Sequence, residues 1–383
     1  MSQSIQKRHT HGTHRACPPE ETLARVAPFL VQAGITRVAD LTHLDELGIP
    51  VVQAVRPNSR TLSVSQGKGL TLQLAKVSAI MEAIELWHAE DPVPPVTQAR
   101  VRELEPELGY DVRQLQHAER GFLHPGVRLD WVPARTLSTG RETYVPRALM
   151  MQDFTVRMQY APPLFHGSSN GLASGNVKAE AALHGLLEVV ERDSLTLAMR
   201  DRWPRERLVD PATVTSPSNR QLLDRLTAAG VEFLIFDATG PTGLPCFRFS
   251  IWSQALPEIF AGAGCHLDKD VALSRAITEA AQTRLTLIAG ARDDLVDQTW
   301  LWSRDLLSTS PVTLPRQESM TRDFQRIQSL DSENLQADLD RVTRLVEQQT
   351  GFSPMLVDLT RPDMGIPVTF IVAPGLRVAH EVI

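Results

Sequence analysis

The chain has 383 residues, a formal net charge of −6, 42% hydrophobic residues and 22% charged residues. This length suits one large domain or two subdomains, and the composition is that of an ordinary globular protein. The net negative charge gives no support for a general nucleic-acid-binding surface, which would require a basic patch.

The N-terminal segment is polar and is expected to be irregular up to residue 19. Its histidines, His9, His11 and His14, have no carboxylate or cysteine partner at zinc spacing, so we predict no metal site there. Two prolines and two glutamates follow, and they favour a helix that extends from residue 18 to about Val31.

A glycine-flanked lysine leads into the first acidic helix. Strands predicted at 49–55 and 61–65 precede Lys68, which lies between two glycines and can reach a phosphate as a point charge. The spacing is not that of a Walker A loop. The helix that follows carries Glu82 and Glu85, one turn apart.

Strands predicted at 129–134 and 143–146 separate this helix from a second acidic helix. The intervening loop at 167–176 is rich in glycine, serine and asparagine, so its backbone N–H groups are expected to stay open for an anion. From Val177 onward the apolar spacing is helical. Three carboxylates share one face of this helix: Glu180, Glu188 and Glu191.

Such a cluster of carboxylates is unfavourable unless a cation offsets its charge. Oxygen ligands of this kind suit Mg²⁺, which usually takes a few carboxylates together with phosphate oxygens. An ordinary solvated acidic face is the alternative. His184 lies between two of these glutamates, and we expect it to pack or to orient its neighbours.

The two acidic helices are related by an internal pseudo-repeat. A shift of 106 positions sets residues 69–86 against residues 175–192. The glycine that precedes each helix matches, and so do both members of a Glu-x-x-Glu pair. Because the identities fall on the glycine and the carboxylates, the repeat indicates a shared chemical role.

A third helix is predicted to begin near Asp270, after strands at 232–237, 246–252 and 260–266. It can add a carboxylate, an amide and a guanidinium: Glu279, Gln282 and Arg284. The last of these lies roughly 140° around the helix from the first, so its long stem must reach around. An exposed polar face is again the alternative.

The remaining sequence predicts a loop at 306–332, an amphipathic helix at 335–349, and strands at 354–359 and 368–372.

Other features bear on location. The N-terminal residues lack the apolar stretch of a secretory signal peptide, and no run of about 18 apolar residues is found, which excludes a membrane-spanning helix. Cys17, Cys246 and Cys265 lie far apart, which disfavours a disulfide framework and favours the cytoplasm. We interpret Cys265 as a small buried hydrophobe.

Taken together, three stretches resemble the YcaO family of ATP-dependent peptide-modifying enzymes. They are SQGKG…SAIMEAIE, NGLASGN…EAALHGLLEVVERD and EAAQTR, in this order. The resemblance implies an α+β fold, namely a YcaO-type mixed α/β ATP-binding fold. In this fold, strand–loop–acidic helix units repeat at about 60–95 and 166–200. It also implies a catalytic core over 1–300 and an extension of the same domain over 301–383.

The resemblance further implies ATP and Mg²⁺ as cofactors. It places the metal ligands at Glu82, Glu85, Glu180, Glu188, Glu191 and Glu279. It places nucleotide contacts at Arg15, Thr22, Lys68, Ser174, Asn176, Arg192, Gln282 and Arg284, and of these Arg192 and Arg284 are the candidate catalytic residues.

Two positions depart from the family pattern. Leu86 follows the first glutamate pair, at a position where the family usually has arginine. In the second loop, the small residues around Ser174 come in a different order from that of the family. Many azoline-forming members end in a proline-rich tail that this sequence lacks.

The implied activity is phosphorylation of a backbone amide oxygen in a ribosomally made peptide or protein. Thioamidation with external sulfur and a TfuA-like partner is the leading interpretation. Azoline formation on Cys, Ser or Thr, by a cyclodehydratase, is the first alternative. A catalytically silent subunit that binds nucleotide or a leader peptide is the second, and a homodimer is a further possibility.

Overall fold

The computed structural model describes residues 4–116, 123–155, 164–292 and 322–379. The helices in these ranges are α1 (Pro19–Val26), α2 (Leu72–Glu90), α3 (Val101–Leu108), α4 (Lys178–Arg200), α5 (Pro217–Ala228), α6 (Lys269–Ala289) and α7 (Leu335–Thr350). The strands are β1 (Arg37–Asp40), β2 (Val51–Val55), β3 (Val64–Lys68), β4 (Thr97–Arg100), β5 (Arg128–Thr136), β6 (Glu142–Pro146), β7 (Leu172–Ser174), β8 (Glu232–Asp237), β9 (Cys246–Ser253), β10 (Leu256–Cys265), β11 (Met355–Asp358) and β12 (Val368–Val372).

These strands form three antiparallel sheets. Two are three-stranded, with the orders β1-β2-β3 and β10-β9-β8. The third runs β4-β5-β11-β12-β7, with β6 paired to β5. The late strands β11 and β12 thus lie between β5 and β7, so the C-terminal part completes a sheet begun earlier in the chain. The domain boundary predicted at residue 300 falls outside the described residues and stays a prediction.

Each acidic helix follows the last strand of a unit. Strand β3 leads through Gly69 into α2, β7 leads through Gly175 into α4, and β10 leads into α6. The first two units stand in the register that the pseudo-repeat predicts. The mixed helix and sheet content agrees with the predicted α+β class.

Two glycines let the first and third helices approach their strands closely. A Cβ on Gly67 would lie 2.0 Å from the backbone nitrogen of Ala79, and a Cβ on Gly262 would lie 2.2 Å from that of Ala280. Real Cβ atoms do not approach backbone so closely, so only glycine fits. Close packing in turn sets how near the helix carboxylates come to the strand ends.

Element boundaries differ from the prediction in the N-terminal part. The strand predicted at 61–65 is instead Val64–Lys68, so Lys68 ends a strand and does not belong to a free loop. The helix predicted to reach Val31 ends at Val26 and gives way to a short 3-10 turn. Of the loop predicted at 306–332, residues 306–321 lie outside the described ranges.

The cysteines are free, and two of them are neighbours. Cys246 and Cys265 are buried and face each other across β9 and β10. Their pairing in space was not evident from their spacing in the sequence. No helix in the described ranges is both long enough and apolar enough to cross a membrane.

Candidate functional site

A cleft of about 1010 Å³ lies between the three acidic helices and the N-terminal segment. Its lining includes every predicted site residue except Arg284. Glutamates from α2, α4 and α6 therefore reach one cavity although they are separated by up to about two hundred residues in the chain.

Helix α2 contributes two carboxylates to the cleft. Burial raises the pKa of Glu82 to about 7 against the opposing charge of Lys68. Burial also raises the pKa of Glu85 to about 8, although Ser174 donates its N–H at 2.7 Å and its hydroxyl at 2.5 Å to Oε1 of Glu85. Both carboxyl groups are therefore partly protonated at neutral pH when no cation is bound.

Helix α4 contributes a second pair of carboxylates and an arginine. Burial raises the pKa of Glu188 to about 7. Burial likewise raises the pKa of Glu191, whose Oε2 accepts a hydrogen bond of 2.8 Å from the backbone N–H of Cys265. Arg192 lies 3.3 Å from Oε1 of Glu191 and 3.9 Å from Oε1 of Glu188. Burial alone would lower the pKa of Arg192, but the surrounding carboxylates raise it, so it remains charged.

Helix α6 contributes a carboxylate that is already paired. Nζ of Lys68 lies 2.7 Å from Oε2 of Glu279. Burial would raise the pKa of Glu279, but the charges of Lys68 and Arg192 outweigh it and lower the net pKa. Gln282 donates to the backbone oxygen of Gln66 at 3.0 Å, and its own Oε1 is buried with no hydrogen-bond partner in the described ranges.

The N-terminal segment lies along one side of the cleft, where it binds Glu180 of α4. This carboxylate accepts hydrogen bonds from the backbone N–H of Ala16 at 2.7 Å and from Asn176, and Arg15 lies 3.4 Å from it. Thr22 donates its hydroxyl to Oδ1 of Asn176 at 2.9 Å. Both oxygens of Glu180 therefore accept hydrogen bonds from protein groups.

The end of the loop nearest α4, at residues 174–176, is not the open anion cradle that the composition of the loop predicts. The N–H of Ser174 is taken by Glu85, that of Gly175 by the backbone oxygen of Pro367, and that of Asn176 by Glu180. Its small residues instead allow the loop to pack against the carboxylates.

Arg284 is not brought to the cleft. Its side chain is 3% exposed, and its guanidinium bonds to Asp45 at 2.9 Å and 3.2 Å and to Ser253 at 2.8 Å. The stem does not reach around to the side of Glu279. In this arrangement Arg284 holds the connection before β2 against α6, and no nucleotide contact follows from its position.

Sequence reasoning missed Arg275, a cation of the cleft one turn before Glu279. Its guanidinium lies 3.1 Å from Nε2 of His184, and its Nε is buried without a hydrogen-bond partner among the residues described. Burial and the charge of Arg275 hold the pKa of His184 well below its usual range. A neutral imidazole can accept from the arginine and orient it. The Arg-x-x-x-Glu spacing on α6 is the sequence feature that could have identified Arg275, because it places the arginine one turn from Glu279.

A second cluster of titratable side chains lies beside the cleft. His14, Asp268 and Asp331 bring one ligand atom each to within 4.8 Å of one another. Lys7, with a side chain 3% exposed, places Nζ 2.8 Å from Nδ1 of His14 and 3.3 Å from Asp331. The lysine ammonium already supplies the positive charge, so this cluster ties the N-terminal segment to the C-terminal part.

The donor set of the cleft fits Mg²⁺ bound together with phosphate. No three of the predicted glutamate ligands bring an oxygen each to within 4.8 Å of one another in the described part of the chain. Mg²⁺ usually takes one or two protein carboxylates and completes its octahedron with phosphate oxygens and water. Separate carboxylates with cationic side chains between them therefore suit a metal–polyphosphate ligand better than a site in which carboxylates surround one ion completely.

The fold and the cleft define a mixed α/β protein of the metal- and nucleotide-binding class. The pattern of the family described as YcaO cyclodehydratase, ATP- and Mg²⁺-binding, matches residues 66–377. The chain belongs to the YcaO family, and ATP and Mg²⁺ are the cofactors of that family.

Relatives match over nearly the whole chain. An uncharacterized protein of Mycobacterium tuberculosis is 41% identical over 370 residues, which cover 96% of this chain and 83% of the relative. A protein encoded in the tfuA 3′ region of Rhizobium leguminosarum bv. trifolii is 37% identical over 378 residues, which cover 95% of this chain and 89% of the relative.

Solved structures share the fold. A heterocyclase in complex with substrate and cofactor is 24% identical, with a TM-score of 0.80. The match covers 99% of this chain, which spans about half of the heterocyclase (54%). The YcaO protein of Methanopyrus kandleri, bound with AMPPCP and Mg²⁺, is 21% identical, with a TM-score of 0.74 and coverage of 97% and 94% of the two chains.

Proposed function

We propose that this protein uses ATP and Mg²⁺ to activate a backbone amide of a peptide or protein by phosphorylating its oxygen. The observation that carries the proposal is the convergence of Glu82, Glu188 and Glu279 from three helices on one cleft that also holds Lys68 and Arg192. Buried carboxylates beside fixed cations suit a ligand that combines metal ions with phosphates.

An amide oxygen is a poor leaving group, and phosphorylation converts it into phosphate. In the proposed reaction a sulfur nucleophile adds to the amide carbonyl carbon, and the resulting oxyanion takes the terminal phosphoryl group of ATP with release of ADP. Loss of inorganic phosphate then leaves a thioamide. Bound Mg²⁺ would supply charge neutralisation on the phosphates.

The protein residues would contribute positioning and electrostatics. Glu82, Glu85, Glu188, Glu191 and Glu279 would hold the ions, while Arg192 would offset charge on the transferred phosphoryl group. Lys68 would need to exchange its pairing with Glu279 for a phosphate contact. Glu180, whose oxygens bind Ala16 and Asn176, would position the N-terminal segment and add a ligand only by giving up such a contact.

Thioamidation is favoured within the class by the relative encoded beside tfuA, which matches over almost the full length. We accordingly propose a TfuA-like partner and an external sulfur source, and we retain the cytoplasm and a homodimer as predictions. Azoline formation is the second candidate, because the family description names a cyclodehydratase. A silent nucleotide- or leader-binding subunit is the third, because Leu86 replaces a charged residue at the cleft.

The test measures phosphate release from Mg·ATP by the purified protein, alone and together with a TfuA-like protein, with sodium sulfide, and with and without a mixture of synthetic blocked peptides. Mass spectrometry separates the products, since a thioamide exchanges oxygen for sulfur whereas an azoline loses water. We expect release that depends on peptide and falls in Glu188→Gln and Glu191→Gln. Equal release from the wild type and both variants would refute the site, and nucleotide binding without any turnover would favour the silent subunit.

A further inference from the structure

One end of the cleft has a different chemical character from the rest. The segment 152–154 runs beside the C-terminal turn of α2, because Gln152 donates its backbone N–H to the oxygen of Ala89 at 3.0 Å. Phe154 donates its backbone N–H to the oxygen of Arg60 at 2.9 Å. Both residues line the cleft, and Ala89, which Gln152 contacts, lies one helical turn beyond Glu85.

Gln152 carries an unused hydrogen-bond donor at this end. The residue is 4% exposed, and its Nε2 is buried with no hydrogen-bond partner anywhere in the described ranges. A buried amide donor without an acceptor is unfavourable, and native proteins retain few of them. Such a donor in the wall of a binding cleft indicates that its acceptor comes with a ligand.

The surroundings of Gln152 indicate what kind of acceptor this is. Leu62, Leu86 and Phe154 also line the cleft, and Phe154 is 66% exposed, while the neighbouring Asp153 is paired with Arg60 at 3.7 Å. The described lysine and arginine residues of the lining lie on other elements: Arg15, Lys68, Arg192, Arg275 and Arg292. A neutral amide donor among apolar side chains suits a neutral carbonyl oxygen better than a phosphate oxygen.

We infer that this end of the cleft is the subsite for the acceptor peptide. The Nε2 group of Gln152 donates to a backbone carbonyl of the peptide, and Leu62 and Phe154 contact an apolar side chain next to the modified amide. Leu86 adds apolar surface to the same cleft. The inference rests on the proposed function, whose peptide substrate it describes more closely.

The experiment observes the side-chain amide directly. The full-length protein is labelled with ¹⁵N in its glutamine side chains, and the Gln152 signal is assigned by its loss in Gln152→Leu. Acetyl-glycyl-leucyl-glycinamide is titrated in, with acetyl-glycyl-aspartyl-glycinamide as the charged comparison and Mg·AMPPNP as a separate titration. Phe154→Ser tests the apolar contact, and Gln73→Leu, on the exposed face of α2, is the matched control.

We expect the leucyl peptide to shift the Gln152 signal in a saturable way and to bind more tightly than the aspartyl peptide. Gln152→Leu should weaken its binding about fivefold to tenfold, the size of one hydrogen bond. Phe154→Ser should also weaken it, and Gln73→Leu should leave it unchanged. Retained Mg·AMPPNP binding verifies that each variant is folded, and Gln152→Asn replaces Gln152→Leu if the latter fails to fold.

The inference is overturned if the peptide leaves the Gln152 signal unmoved, if only Mg·AMPPNP moves it, or if both peptides bind alike. Peptide binding is measured without turnover. Peptide binding at Gln152 without any ATP consumption would therefore refute the proposed function and leave the subsite standing. Peptide-dependent ATP consumption that is insensitive to Gln152 substitution would support the proposed function and refute the subsite.

Discussion

Binding of Mg²⁺ and nucleotide to the cleft should release protons. Burial raises the pKa of Glu82 and Glu188 to about 7 and that of Glu85 to about 8. At pH 7, about half of each of the first two groups and about nine-tenths of the third are therefore protonated. Carboxylates must be ionised to hold a metal ion, so complete ionisation of these three groups would release about two protons per nucleotide bound.

The sign of the pH dependence follows from these pKa values. As pH rises from 6 to 8, the three carboxylates become ionised before the ligand arrives, so the affinity for Mg·AMPPNP should increase and then level off above about pH 8 to 9. In the absence of ligand, ionisation of the same three carboxylates lowers the stability of the fold. At these three groups the folded state binds more protons than the unfolded state, whereas burial lowers the pKa of His14, His88, His184 and His266, which act in the opposite direction below about pH 6.5. Between about pH 6.5 and 8 the carboxylates dominate, so the free energy of unfolding should fall as pH rises through that range.

Isothermal titration calorimetry in buffers of different ionisation enthalpy counts the released protons. An acid–base titration of Mg·AMPPNP alone gives the number of protons that the nucleotide itself carries at the same pH, and this number is subtracted. Glu188→Gln removes a titrating group and should lower the count by about half a proton at pH 7. A count near zero, or an affinity that declines with rising pH, would refute the assignment of these carboxylates to the metal.

Three further substitutions test the packing and charges around the cleft. Gly67→Ala would place a Cβ 2.0 Å from the nitrogen of Ala79, so we expect a loss of about 1 to 3 kcal/mol or more in thermal or urea unfolding, and an unchanged Tm would contradict the close packing of α2. Arg284→Met leaves Asp45 buried without its partner, so it should destabilise the fold by about 3 to 5 kcal/mol while the Kd for Mg·AMPPNP of the folded protein stays the same. An increase in that Kd would restore the predicted nucleotide contact. Arg275→Met should raise the same Kd about tenfold, with little effect on Tm, and calorimetry that finds no change would exclude Arg275 from the phosphate site.

Much of the cleft could be predicted before any tertiary structure was known. Helical periodicity and the Glu-x-x-Glu repeat depend only on residues within a few turns, so they identified Glu82, Glu85, Glu188 and Glu191 and the helices that carry them. Glu279 followed from the same spacing on α6. Such local patterns place a carboxylate on a helix face but do not say which distant group it meets.

The groups that the prediction missed or misplaced depend on distant partners. Arg284 turns toward Asp45, which lies 239 residues away in the chain, and not toward the cleft. Lys68 ends a strand and pairs with Glu279, while the open N–H groups expected before α4 are consumed by Glu85, Glu180 and Pro367.

The sequence alone determined which helices carry clustered negative charge and predicted that a cation compensates it, because periodicity and like-charge repulsion act over a few residues. Only the tertiary structure decided which of those charges remain free for a ligand. Hydrogen bonds and ion pairs between remote segments, such as that of Ala16 with Glu180, compete for the same oxygens, and this competition is settled by packing of the whole chain.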